Sequence, residues 1–304
     1  MGVYVVGDIH GCFEDWMQLK NKVEAQDKHA RFVLVGDIID RGPNSIDMLR
    51  WAMKHVTKFG KYQMVLGNHE YEKYFWLESF FQAKKENQKL KIKDFRSDNY
   101  DFQNCIVQAN ISIEELINIM DWIESLEIYK EITVNTEFGR RQRYLIVHGG
   151  LQYNMIGRDK GKVVLDKYLI PLSGLRRIHS GITEKIVWER NYHGYYNADD
   201  LIIINGHTPT AVMDALCRGS VPGRPWYLPN NIDIDTGAVF RHYGERFCNL
   251  CAIRLQDLKE FYSYDKTEEE LEEEKASYGY TRNKHSRDNL MEILQYGFAE
   301  RTWK

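Results

Sequence analysis

Val3-Tyr4-Val5-Val6-Gly7-Asp8-Ile9-His10-Gly11 opens the chain with an apolar run that stops at ligand-type side chains, and the same arrangement returns four more times. Phe32-Val33-Leu34-Val35 runs into Gly36-Asp37, and Met64-Val65-Leu66 into Gly67-Asn68. Tyr144-Leu145-Ile146-Val147 ends at His148, and Leu201 to Ile204 ends at Asn205-Gly206-His207. Continuous Val- and Ile-rich runs of this length read as strands buried on both faces. Between them lie helical spacings. Phe13, Trp16, Leu19 and Val23 form one, and Ile46, Leu49, Met53 and Val56 form another, opened by Pro43-Asn44-Ser45 and stopped at Gly60. Alternating strand and helix implies an α/β fold with largely parallel sheets and helices outside. Ligands in such folds bind beyond the carboxyl ends of the strands. All five polar motifs fall there, so they are expected to converge.

Residues 71–142 depart from this pattern. They are aromatic and rich in Lys and Glu, with an amphipathic helix expected around Ile113–Ile123, and read as a helical insertion within a catalytic domain spanning 1–255. Phe247 to Leu255 is expected to form one strand. Residues 256–304 read as an acidic, helical C-terminal extension docked on the surface. Its helix is opened by a Thr267/Glu270 capping box, and a last amphipathic helix carries Leu290, Ile293, Leu294 and Phe298.

Bulk composition excludes several classes. The 304 residues are 43% hydrophobic and 28% charged with net charge -3, which is ordinary for a globular enzyme and shows no general nucleic-acid-binding surface. No apolar run approaches the ~20 residues of a membrane span, and the N-terminus lacks a signal-peptide pattern. Five scattered cysteines suit reduced thiols, so a cytoplasmic setting is expected.

The residues themselves indicate the chemistry. Asp8 and His10 flank one residue and can face one ion, and the two oxygens of Asp37 can bridge two cations. Asn68 offers a carbonyl oxygen, and His148 and His207 offer imidazole nitrogens. This mixed N/O set without thiolate suits Mn²⁺, Fe or Zn²⁺. Arg41 can grip phosphate oxygens through its planar fork. His69 can donate a proton to a leaving oxygen, with Asp40 holding its other nitrogen. One Asp or His at a strand end is ordinarily a cap or a core residue, but six with matching glycines are not. His29, His55, His179, His193, His242 and His285 lack such context and read as structural. Cys248-x-x-Cys251 reads as packing rather than half a zinc knuckle. Cys12, beside Gly11, is a candidate for oxidation sensitivity, and Trp188 and Tyr196 are candidates for a groove lining.

Together the segments read G-D-I-H-G (7–11), G-D-I-I-D-R-G (36–42), G-N-H-E (67–70), H-G-G (148–150) and G-H-T-P (206–209). In this order they resemble the calcineurin-like metallophosphoesterases, over about residues 2–255. The nearer likeness is to the bacterial phosphoprotein-phosphatase branch, which also contains symmetrical diadenosine tetraphosphatases. Asp233-Ile234-Asp235-Thr236-Gly237-Ala238 fits a later motif of that branch. The resemblance implies two mixed β-sheets in a sandwich flanked by helices. It also implies a binuclear centre of divalent ions, Mn²⁺ foremost, whose bridging hydroxide attacks phosphorus. Asp8 and His10 would bind the first metal, Asp37 both, and Asn68, His148 and His207 the second. His69 would act as general acid or transition-state stabiliser, oriented by Asp40, with Arg41 and a second arginine as phosphate clamps. Arg190 is the candidate for that second clamp, ahead of Arg176 and Arg177. The expected substrate is a phosphoserine or phosphothreonine protein. The alternatives are a dinucleoside polyphosphate or an RNA-end phosphate, and a non-catalytic metal-binding scaffold stands as the remote one.

Overall fold

The apolar runs form strands whose alternate side chains enter two different cores. The computed structural model describes residues 1–86, 97–152, 155–159, 162–165, 178–179, 181–190, 201–212, 220–278 and 281–296. One five-stranded sheet is built from β1 (Val3–Val6), β2 (Arg31–Leu34), β3 (Tyr62–Met64), β11 (Cys251–Arg254) and β12 (Lys259–Tyr262). Its order is β12-β11-β1-β2-β3. The second comprises β4 (Tyr129–Asn135), β5 (Arg141–Val147), β8 (Leu201–Asn205), β9 (Trp226–Tyr227) and β10 (Asn231–Asp233), in the order β4-β5-β8-β10-β9. β6 (Ile156–Asp159) and β7 (Lys162–Leu165) form a separate antiparallel pair.

Val3 and Val5 of β1 face one core with Val33 and Val35, and meet Tyr144, Ile146, Ile202 and Ile204 from the second sheet. Tyr4 and Val6 face the opposite way, with Phe32 and Leu34, toward the helices. There they meet α1 (Phe13–Gln26) through Trp16, Leu19 and Val23, and α2 (Ser45–His55) through Met48, Leu49 and Ala52. On the far side of the second sheet, Leu145, Val147, Leu201 and Ile203 pack with Ile186 of α6 (Gly181–Trp188). The layers are therefore helix, sheet, sheet, helix, and burial on both faces is why the strands read as unbroken apolar runs. Each fully buried Val, Leu or Ile contributes roughly 1.5–3 kcal/mol.

Both sheets are mixed, as the family resemblance implied and the simpler expectation of largely parallel sheets did not. β1, β2 and β3 run parallel, as do β5, β8 and β10, while β11 pairs antiparallel with both β1 and β12, β4 with β5 and β9 with β10.

Residues 71–142 hold most of α3 (Asn68–Lys85), with α4 (Ser97–Gln108) and α5 (Ile113–Ser125), and also contribute β4 to the second sheet. The strand expected over 247–255 is shorter than expected. Asn249 ties this stretch to the turn after β12 instead, donating to Tyr264 O at 2.9 Å and accepting from Ser263 Oγ at 2.6 Å. The residues assigned to the tail begin with β12, an edge strand of the first sheet that follows the short helix α7 (Ala238–His242) and β11. α8 (Glu268–Tyr278) follows and is opened by the expected capping box: Glu270 N donates to Thr267 Oγ1, and Thr267 N to Glu270 Oε2. Its acidic run is not wholly solvated, since buried Glu274 lies 2.5 Å from Lys266 Nζ and 3.1 Å from Arg224 Nη2. α9 (Thr281–Tyr296) inserts Leu290, Ile293 and Leu294 into the core between the sheets, while Phe298 lies outside the described residues. Among the described residues no helix is long and apolar enough to cross a membrane.

Candidate functional site

Parallel strands leave their carboxyl ends at one edge, and that edge collects the polar residues. Asp8 and His10 follow β1, Asp37 follows β2, and Asn68 opens α3 just beyond β3. His148 follows β5 and His207 follows β8. All six are buried, between 0% and 5% exposed, which is unusual for such polar side chains and demands compensation.

The turns that aim them are strained. Seven described non-glycine residues have positive φ, and five belong to the site: His10 (46°), Asp37 (49°), Asp40 (68°), Arg41 (67°) and His207 (72°). Such conformations cost of order 1–3 kcal/mol each and persist only where neighbours hold them. Glu70 supplies one hold, accepting from Asp37 N at 2.8 Å and Ile38 N at 2.9 Å. Ser45 Oγ accepts from Asp40 N at 2.9 Å, and Tyr243 OH donates to Arg41 O at 2.7 Å. Asp8 Oδ2 accepts from His207 N at 3.0 Å.

Backbone carbonyls set the imidazole tautomers. His10 Nδ1 donates to Ile39 O and His148 Nδ1 to Val35 O, both at 2.9 Å, so the Nε2 lone pair of each faces the cluster. His148 Nε2 and His207 Nδ1 lie 2.8 and 2.7 Å from a single atom, Asn68 Oδ1. Asp37 Oδ2 is ringed by His148 Nε2 at 3.3 Å, His10 Nε2 at 3.7 Å and His69 Nε2 at 3.8 Å. These separations are mostly too long for hydrogen bonds, yet they suit donors that share an ion.

Two overlapping donor groups result, His10-Asp37-His69 and Asp37-His148-His207, with Asp37 common to both. Asp8 falls outside both groups, and its Oδ1 is buried without a hydrogen-bond partner, as is His207 Nε2. Orphaned donors and acceptors in a hard N/O set fit divalent cations.

His69 Nδ1 lies 2.7 Å from Asp40 Oδ2, the pairing expected from sequence. Arg41 Nη1 reaches His10 Nε2 at 2.9 Å. Arg190, just beyond α6, donates from Nη1 to Thr208 Oγ1 at 2.8 Å, which brings it beside the His207 turn. Arg176, Arg177, His193 and Tyr196 lie outside the described residues. Trp188 sets its ring edge-on to His207 at 5.6 Å.

Burial is opposed by different neighbours at each group. Burial and the Asp235 carboxylate push Asp8 well above the usual carboxylate range. Burial would do the same to Asp37, but the His148, His69 and His10 rings hold it well below. Burial and the adjacent His69 lower His10, and burial and His148 lower His207, so both stay neutral and available as ligands. Burial works against the His69 cation, and Asp37 and Asp40 outweigh it, raising that pKa.

Three participants carried no role in the sequence reading. Glu70 holds the Asp37 turn. Asp235 bonds Gly237 N through Oδ1 at 3.0 Å and leaves Oδ2 buried and unpartnered. Lys73, fully buried, places Nζ 2.5 Å from Asp40 Oδ2. The fourth residue of G-N-H-E and the spacing His69-x-x-x-Lys73, one helical turn, were the available signals. Elsewhere His179 pairs with Glu78 at 3.3 Å and His242 with Asp15 at 3.0 Å. Cys12 is 1% exposed, and burial pushes its thiol up, which removes the thiolate that oxidation needs. Cys248 and Cys251 are buried outside any disulfide.

A family model described as calcineurin-like phosphoesterase matches residues 1–236. A symmetrical bis(5'-nucleosyl)-tetraphosphatase of Methylobacillus flagellatus is 34% identical over 286 residues, covering 87% of each chain. The asymmetrical bis(5'-nucleosyl)-tetraphosphatase PrpE of Oceanobacillus iheyensis is 26% identical over 275 residues, covering 86% of this chain and 92% of its own. Among solved structures, a protein serine/threonine phosphatase from Saccharomyces cerevisiae with similarity to human phosphatase PP5 aligns at TM-score 0.48 and 14% identity. That alignment covers 88% of this chain and 82% of the phosphatase.

Proposed function

Because the chain belongs to the calcineurin-like phosphoesterase family, we propose that it hydrolyses dinucleoside polyphosphates, with diadenosine tetraphosphate as the representative substrate. As a member of that family it is a phosphoric ester hydrolase. The substrate reading draws support from two tetraphosphatases, one of each cleavage type, that match over most of both lengths. It displaces the phosphoprotein reading of the sequence, which gains no support from them.

The ring of nitrogens around Asp37 Oδ2 is the observation that carries the reaction class. Asp8 and His10 would hold one divalent cation, Asn68, His148 and His207 the other, and Asp37 both, with Mn²⁺ as the foremost candidate. Such a pair supplies a water of lowered pKa and neutralises phosphoryl charge. Arg41, beside His10, and Arg190, beside the His207 turn, grip the remaining phosphate oxygens. His69, held at Nδ1 by Asp40, keeps Nε2 toward the cluster and passes its proton from that atom to the departing phosphate oxygen. Burial of all six ligands excludes bulk water and strengthens these contacts.

Purified protein with Mn²⁺, assayed on diadenosine tetraphosphate and on a phosphopeptide panel, tests the proposal. Faster turnover of the dinucleotide is expected, and a preference for phosphopeptides would overturn it. Product analysis then separates cleavage at the midpoint of the tetraphosphate from cleavage off-centre.

A further inference from the structure

We propose that Lys73 is a positioning residue for proton transfer, acting through Asp40 on His69; this rests on the role given to His69 above. α3 begins at Asn68, so His69 and Lys73 stand one turn apart on the same face, where side chains at i and i+4 meet. Both reach one atom of the loop after β2. His69 Nδ1 lies 2.7 Å and Lys73 Nζ 2.5 Å from Asp40 Oδ2. The other oxygen, Oδ1, is buried without a hydrogen-bond partner. The carboxylate is therefore held from one side only, by an imidazole and an ammonium that share its Oδ2.

Lys73 is 0% exposed and Asp40 2% exposed. A buried ammonium is expensive unless paired, and the pairing here is with the residue that orients the proposed acid. The ring of Phe102, itself fully buried, lies 5.7 Å from Lys73 Nζ and faces the ammonium. The ammonium thus cannot swing to solvent, and Asp40 Oδ2 has one place to stand. That place keeps the His69 ring in the orientation where Nδ1 meets Asp40 and Nε2 faces Asp37 Oδ2 at 3.8 Å. Without Lys73, Asp40 could turn Oδ1 toward His69 or draw in water, and the ring would lose its single orientation. A merely structural ion pair would cost stability and leave the proton-transfer step alone.

A double-mutant cycle in the full-length Mn²⁺-loaded protein separates these cases. His69→Ala, Lys73→Met and the double variant are assayed on phenyl phosphate, 4-nitrophenyl phosphate and diadenosine tetraphosphate. 4-Nitrophenolate leaves readily, whereas phenolate needs a proton, so loss of the acid should appear chiefly with phenyl phosphate. Lys73→Met is expected to lower kcat on phenyl phosphate by roughly 10-fold or more, and on the nitrophenyl ester much less, with KM unchanged. In the His69→Ala background it should cost almost nothing further. Lys73→Arg, which keeps the charge, should recover part of the loss, and Lys73→Gln, which removes the charge but stays polar, takes the place of Lys73→Met in the cycle if the latter does not fold. Equal losses on both aryl esters, or an undiminished loss in the His69→Ala background, would overturn the role of Lys73. Leaving-group-independent loss in His69→Ala itself would overturn the acid role of His69, and the inference with it.

Discussion

Asp8 Oδ1 lies 2.0 Å from the point where a Cβ on residue 206 would stand, so Gly206 is the only residue type that lets this carboxylate approach the His207 turn. Asp8 Oδ2 at the same time accepts from His207 N at 3.0 Å, which binds the first strand of one sheet to the site loop of the other. Gly206→Ala must displace Asp8 by a large fraction of an ångström. Loss of one metal equivalent and a fall in kcat on the order of 10²-fold are expected. Metal content and turnover, measured on protein with an unchanged circular dichroism spectrum, check this.

Glu70 accepts from two successive backbone N–H groups at Asp37 and Ile38, so it sets the left-handed turn that aims the shared carboxylate. Glu70→Gln keeps the volume but has one acceptor oxygen for two donors. Metal affinity should weaken by roughly 10–100-fold, the usual effect of disturbing groups that orient ligands. Titration of the apo protein with Mn²⁺ reads the change, and an unaltered affinity would refute the aiming role.

Arg41 and Arg190 approach the site from separate loops, Arg41 through His10 Nε2 and Arg190 through Thr208. Charge-assisted hydrogen bonds contribute about 1.5–3 kcal/mol. Alanine at either position should therefore lower kcat/KM by roughly 10–100-fold while both metals stay bound. Steady-state kinetics alongside metal analysis decides it.

Remote from the site, Glu24 faces Lys61 Nζ at 2.7 Å, Lys20 Nζ at 2.9 Å and the Tyr62 hydroxyl. Burial opposes its charge, but these partners prevail and lower its pKa to about 2. A carboxyl depressed on folding adds stability above its unfolded pKa and loses it as pH falls toward the folded value. The stability difference between wild type and Glu24→Gln, about 1 kcal/mol at pH 7 after solvent screening, should shrink between pH 4.5 and about 2. Urea unfolding across that range measures it.

The C-terminal helix is part of the core. Leu290 is fully buried between the sheets, whereas Leu271 of α8 is 37% exposed. Leu290→Ala should cost about 2–5 kcal/mol, and Leu271→Ala less than about 0.5 kcal/mol. Chemical denaturation compares the two.

Reaction class and the convergence of these polar residues were legible in the sequence because a buried strand and the turn that follows it are both local. Val3 to His10, Phe32 to Asp37 and Leu201 to His207 each write an apolar run and its polar terminus within a few residues. The pairing of His69 with Asp40 likewise follows from motif chemistry alone, and the fold brings them to 2.7 Å. Contacts between distant segments were not legible. β12 looks like tail until it pairs with β11, and β4 like a helical insertion until it pairs with β5. Nor does local sequence reveal that the Lys73 ammonium has no exit to solvent, that Glu70 bends back onto Asp37, or that Asp8 needs the bare Cα of Gly206. Those relations depend on burial and on the packing of one sheet against the other. Only the closed fold decides which charge faces which across the site.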